Sequence, residues 1–79
     1  MLTNTKTKVK FVIVSWRNLP SVSINDPLLM ISKPAALTAA TGMDALTHAV
    51  EAYISKDANP VTDAAAMQAI RLIARNLRQ

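Results

Sequence analysis

At 79 residues the chain makes one small domain at most, a size at which a core is marginal without help from elsewhere. It has no cysteine, which rules out disulfide stapling and favours a cytoplasmic setting. It also lacks both the apolar core of a signal peptide and a run near the roughly 20 residues of a membrane span. The formal charge of +4 raises nucleic acid as a partner, yet Lys6, Lys8 and Lys10 near the start and Arg71, Arg75 and Arg78 near the end read as ordinary solvated faces. No aromatic residues interleave with them to stack on bases, so neither nucleic acid nor membrane is expected as a partner. Half of the residues are apolar, but alanine dominates over aromatics, a balance that suits helices packed closely on another surface.

In chain order, residues 8 to 24 are expected to be extended. Val9, Phe11 and Ile13 alternate with Lys8, Lys10 and Val12, and Val14-Ser15-Trp16 continues the run. Lys6, Lys8 and Lys10, two apart, would line one side of that strand. Arg17-Asn18-Leu19-Pro20 breaks it, and Ser21-Val22-Ser23-Ile24 reads as a second short strand. Two strands alone are marginal in water, so a larger sheet is expected around them. At Asn25-Asp26-Pro27 the regime changes, with an Asx turn followed by a proline suited to open a helical turn.

From Pro34 onward the pattern is helical. A short helix is expected over residues 35–40, with Gly42 permitting the backbone a break or a close approach. A second helix is expected from about Met43 to Ser55, with Met43, Leu46, Val50, Tyr53 and Ile54 as its apolar stripe and Asp44, His48, Glu51 and Ser55 on another side. Residues 56–60 form a loop. Thr62 is the expected N-cap of a last helix that turns Ala66, Ala69, Ile70, Ile73 and Leu77 inward. That helix runs to Gln79 without a capping glycine, as though the chain were cut there.

Asp44 and His48 are the candidate metal ligands. Four residues apart on a helix, their side chains lie one above the other, so a carboxylate oxygen and an imidazole nitrogen can converge on one divalent ion. By spacing alone such a pair is more often a weak surface ion pair, worth a few tenths of a kcal/mol. The small, apolar surroundings of Thr38-Ala39-Ala40-Thr41 and Ala45-Leu46 tip the reading toward a buried, functional pair. His48 is the sole histidine, so further ligands must come from elsewhere. The competing reading is a small basic helical module that binds nucleic acid or a protein partner, with function centred on Lys6, Lys8, Arg71, Arg75 and Arg78.

The spacing of Asp26, Pro34, Asp44 and Glu51 resembles the signature of the iron-containing (group III) alcohol dehydrogenases. The stretch Pro34 to Ala49, PAALTAATGMDALTHA, is similar to that signature throughout, and residues 59–73, NPVTDAAAMQAIRLI, resemble the next family helix. The resemblance implies an internal piece of a two-domain enzyme. Residues 1–25 would be the last strands of a Rossmann-like nucleotide domain, and residues 26–79 about three helices opening an all-α metal-binding domain, an α+β fragment in sum. Asp44 and His48 match the family's first two metal ligands, with two more histidines expected downstream. Lys10 matches a lysine that approaches the cofactor, and Leu29 falls where the family makes an apolar cofactor contact. Glu51 is expected to hold the helix in place.

The implied activity is hydride transfer between NAD(H) and a short-chain alcohol or diol and its aldehyde, with 1,3-propanediol and 3-hydroxypropanal the expected pair. One carboxylate and three imidazoles suit Fe²⁺, with Zn²⁺ the competing ion. The resemblance further implies a homo-oligomeric parent enzyme and an inactive 79-residue piece.

Overall fold

The computed structural model describes residues 1–78. It begins with an antiparallel hairpin of β1 (Leu2–Asn4) and β2 (Val9–Phe11), in which Leu2 pairs with Phe11, Thr3 with Lys10 and Asn4 with Val9. The turn between them is made by Asn4, whose Oδ1 accepts from the backbone N–H of Lys6 at 3.1 Å and of Thr7 at 3.4 Å. Lys8 closes the turn in the left-handed region, at φ 57°.

The extended run expected over residues 8 to 24 is therefore much shorter. Lys6 and Lys8 sit in the turn, and Lys10 alone of the three lysines lies on a strand. Ser15 Oγ accepts from Arg17 N–H and starts a 3-10 turn at Trp16–Asn18. The expected strand at residues 21–24 does not form, because no neighbouring strand among the described residues satisfies its ladder. Conversely, β1 has no alternating pattern to announce it; it forms because the Asn4 turn folds it back on β2. The Asx-Pro reading holds: Asp26 Oδ1 accepts from Leu28 N–H at 3.0 Å and caps a 3-10 turn at Pro27–Met30.

Two α-helices follow rather than three. α1 (Ala35–Ile54) runs unbroken through Gly42, and α2 (Pro60–Asn76) packs back on it. A glycine inside a helix costs about 1 kcal/mol against alanine, too little to break twenty residues of alanine-rich helix. Of the two roles open to Gly42, close approach is the one realised: a Cβ there would collide with Leu77 Cδ1 and stand 3.0 Å from Leu77 Cδ2. The α1–α2 loop is held by Ser55, whose Oγ accepts from Asp57 N–H and whose carbonyl accepts from Ala58 N–H.

The N-cap of α2 is Asn59, not Thr62. Asn59 Oδ1 accepts from the N–H groups of Val61 and Thr62, both at 3.1 Å. Thr62 stands three positions on and accepts back from Asn59 N–H at 3.0 Å, a reciprocal capping box closed by Pro60 at the first helical position.

Ala66, Ala69, Ile70, Ile73 and Leu77 are the inward residues of α2, as the periodicity implies. On α1 the inward residues are Gly42, Leu46 and Ala49, so the seam is built from small side chains. Of the expected α1 stripe, only Leu46 is covered; Met43, Val50, Tyr53 and Ile54 are exposed. The helical period holds, but the inward direction differs by part of a turn, because alanine and glycine permit closer helix contact than the larger residues do. Among the described residues only Ala49 and Ala66 are buried. The radius of gyration, 15.2 Å, exceeds the roughly 12 Å of a compact domain of this length.

Candidate metal-ligand pair

Helix α1 sets where each candidate side chain points. At about 100° per residue, Asp44 and His48 fall roughly 200–240° around from Gly42, on the side away from α2. Thr41, Glu51 and Ser55 share that side. Asp44 Oδ1 and His48 Nε2 stand 3.8 Å apart, and their side chains are 70% and 71% exposed. The burial expected from the small, apolar neighbours of the pair is therefore not found. Those neighbours are buried, where they are buried at all, against α2, and the pair itself lies open on the opposite face.

The separation is too long for a hydrogen bond. It is also close to what adjacent ligands need, since two donors each about 2.1 Å from a tetrahedral ion stand roughly 3.4 Å apart. Exposed side chains close such a gap by small χ rotations, so carboxylate and imidazole fit two positions of a divalent metal. No cluster of three or more His, Asp or Glu suitable for a metal occurs among the described residues. The pair presents two donor groups, and no third His, Asp or Glu among the described residues joins them.

The other candidates lie apart from it. Lys10 is in β2, exposed, opposite Thr3. Leu29 is in the 3-10 turn Pro27–Met30, exposed, and lines a shallow cleft of about 400 Å³ with Ile24, Asn25 and Met30. No hydrogen bond or ion pair among the described residues joins Lys10 or Leu29 to Asp44 or His48. A roomier cleft, about 820 Å³, opens on the α2 side between Met30, Ala35, Gly42, Ile73 and Leu77. Its lining is mostly apolar, with Thr38 and Asn76 the polar side chains, and it includes neither Asp44 nor His48.

One polar contact on the pair's own face is not anticipated by the sequence motifs. Lys33 Nζ donates to Thr41 Oγ1 at 2.8 Å, and Thr41 Oγ1 in turn donates to Leu37 O at 2.9 Å. The available signal is Thr41 itself, three residues before Asp44 and seven before His48, which places all three on one side of the helix.

The chain belongs to the Fe-containing alcohol dehydrogenase family: the model of that family's C-terminal region matches residues 38–79, the stretch that holds both Asp44 and His48. Among curated proteins it is 96% identical, over all of its 79 residues, to a 1,3-propanediol dehydrogenase of Klebsiella pneumoniae, covering 20% of that protein. It is 94% identical over the same span to a 1,3-propanediol dehydrogenase of Citrobacter freundii, again 20% of the relative. It is 55% identical to an NAD-dependent methanol dehydrogenase of Bacillus methanolicus, over 92% of this chain and 19% of that one. The chain thus spans about a fifth of the length of the relatives it matches. No solved structure matches it. No helix among the described residues is long and apolar enough to cross a membrane.

Proposed function

We propose that this chain is the metal-binding segment of an NAD-dependent alcohol dehydrogenase acting on 1,3-propanediol and 3-hydroxypropanal. The observation that carries the reading is the shared face of Asp44 and His48 on α1, within a stretch matched by the family model. The near identity to two 1,3-propanediol dehydrogenases supports the substrate, and the name of the Bacillus methanolicus relative supports NAD.

In this reading Asp44 and His48 hold a divalent ion, Fe²⁺ in preference to Zn²⁺. Their supporting helix is fixed from behind by the Gly42–Leu77 contact and the Ala49 and Ala66 seam. When bound, the ion would lower the pKa of the substrate hydroxyl and so favour hydride departure to the nicotinamide. Lys10 and Leu29 contact the cofactor, one by charge and one by apolar surface. Residues 1–25 belong to the nucleotide domain and residues 26–79 to the helical domain, with the boundary at the Asp26 cap. The remaining ligands and the phosphate-binding turn are supplied outside these 79 residues, in a cytoplasmic homo-oligomer.

The test uses the Klebsiella pneumoniae relative with its matching 79-residue stretch replaced by this chain. Asp44→Ala and His48→Ala should each lose most of the bound metal, read by elemental analysis, together with turnover of 1,3-propanediol with NAD. Full metal occupancy in His48→Ala would remove the ligand assignment.

A further inference from the structure

We propose that Lys33 is a phosphate-binding residue for the dinucleotide, held in position by Thr41; this rests on the dehydrogenase reading. Lys33 is one of the few side chains outside the α1–α2 seam that is even half-buried. Its ammonium donates to Thr41 Oγ1 at 2.8 Å, and no carboxylate among the described residues lies within ion-pair distance of it. The hydroxyl is itself fixed, because it donates onward to Leu37 O at 2.9 Å. The result is a located positive charge with no anionic partner among the described residues. A lysine ammonium so placed is a point-charge partner for phosphate oxygens, and its two free N–H donors remain to be used.

Placement says which anion fits. Thr41 shares the α1 face of Asp44 and His48, and His48 lies seven residues further along. At 1.5 Å per residue the clamp stands about 10 Å along the helix axis from His48. A divalent ion at the pair would repel Lys33, so the lysine does not serve the reacting oxygen. The reacting carbon of the nicotinamide must meet the substrate beside the pair, and the cofactor's phosphates trail from that ring by the length of one ribose unit. A phosphate near Thr41 matches that span. The Asp26-capped turn bearing Leu29 precedes Lys33 by only a few residues, so an apolar contact and a charged one would follow each other along one ligand.

The experiment uses the same full-length chimeric enzyme and reads binding without turnover. NADH affinity is titrated by fluorescence, beside reduced nicotinamide riboside, which lacks phosphate, and metal content is measured in parallel. Lys33→Met should weaken NADH roughly 10-fold, the scale of one hydrogen bond to a charged group. It should leave the riboside and the metal unchanged, and the residual NADH affinity should depend less on salt. Lys33→Arg should retain most of the affinity, and Thr41→Val should lose part of it. An NADH affinity within about two-fold of the parent in Lys33→Met, against the one-hydrogen-bond scale, would overturn the assignment. So would equal weakening of NADH and riboside, which marks a distorted helix start. An unsubstituted chimera that binds neither metal nor NADH would instead bring down the dehydrogenase reading, and this proposal with it.

Discussion

Leu77, at the end of α2, closes over Gly42 in the middle of α1 so tightly that residue 42 has no room for a Cβ without moving the leucine. Two opposed effects meet there. Alanine at position 42 would gain about 1 kcal/mol of helix propensity, while the Leu77 methyls would have to rotate aside. Gly42→Ala should therefore change stability by less than about 1 kcal/mol in chemical denaturation of the full-length enzyme. Gly42→Val adds β-branched bulk that one rotamer change cannot absorb, and should cost roughly 1–3 kcal/mol. A neutral valine would show that the helices are not in contact at this point.

Asn59 serves two donors at the start of α2, and Thr62 returns the bond. Asn59→Ala should destabilise by about 1 kcal/mol, with Thr62→Val costing less because one direction of the box survives. Denaturant midpoints of the two variants give the comparison. An Asn59→Ala variant as stable as the parent, beside a weakened Thr62→Val, would restore Thr62 as the principal cap.

Lys8 holds a left-handed backbone that costs a side-chain-bearing residue roughly 1–2 kcal/mol. Lys8→Gly should strengthen the β1–β2 hairpin by about 1 kcal/mol or less, since part of the relief is offset by the glycine's greater freedom in the unfolded chain. Lys8→Val should weaken it. Amide hydrogen exchange of the ladder-bonded N–H groups within β2, Val9–Phe11, follows both, and slower exchange in the valine variant would contradict the turn geometry.

For Lys10, the proposed cofactor contact predicts a higher Michaelis constant for NAD in Lys10→Ala with metal content unchanged. Loss of an exposed side chain from the pairing with Thr3 should leave the fold intact. Unaltered cofactor kinetics would make Lys10 an ordinary solvated strand lysine.

The 79-residue chain by itself should melt broadly and bind metal weakly. Ala49 and Ala66 are the sole buried residues among those described, and backbone ordering costs roughly 1–2 kcal/mol per residue. Circular dichroism should show partial helicity without a cooperative transition. A sharp melt with stoichiometric Fe²⁺ or Zn²⁺ uptake by the chain alone would refute this.

Local sequence is enough for the helical periods, the Asp26 turn, the inward face of α2 and the placing of Asp44 and His48 four residues apart on one helix. Each follows from short-range geometry: about 3.6 residues per turn, and side chains that satisfy nearby backbone N–H groups. Which side of α1 faces its neighbour is not legible in this way, since it depends on how near α2 can come, and that is set by Leu77 over Gly42. The same packing decides that Asp44 and His48 point outward. The strand at residues 21–24 fails and β1 succeeds for one reason: a strand needs a partner for its backbone groups, and only the Asn4 turn provides one. The Lys33–Thr41 bond links residues eight apart across the start of α1, where the path of the backbone is tertiary information that no helical period encodes.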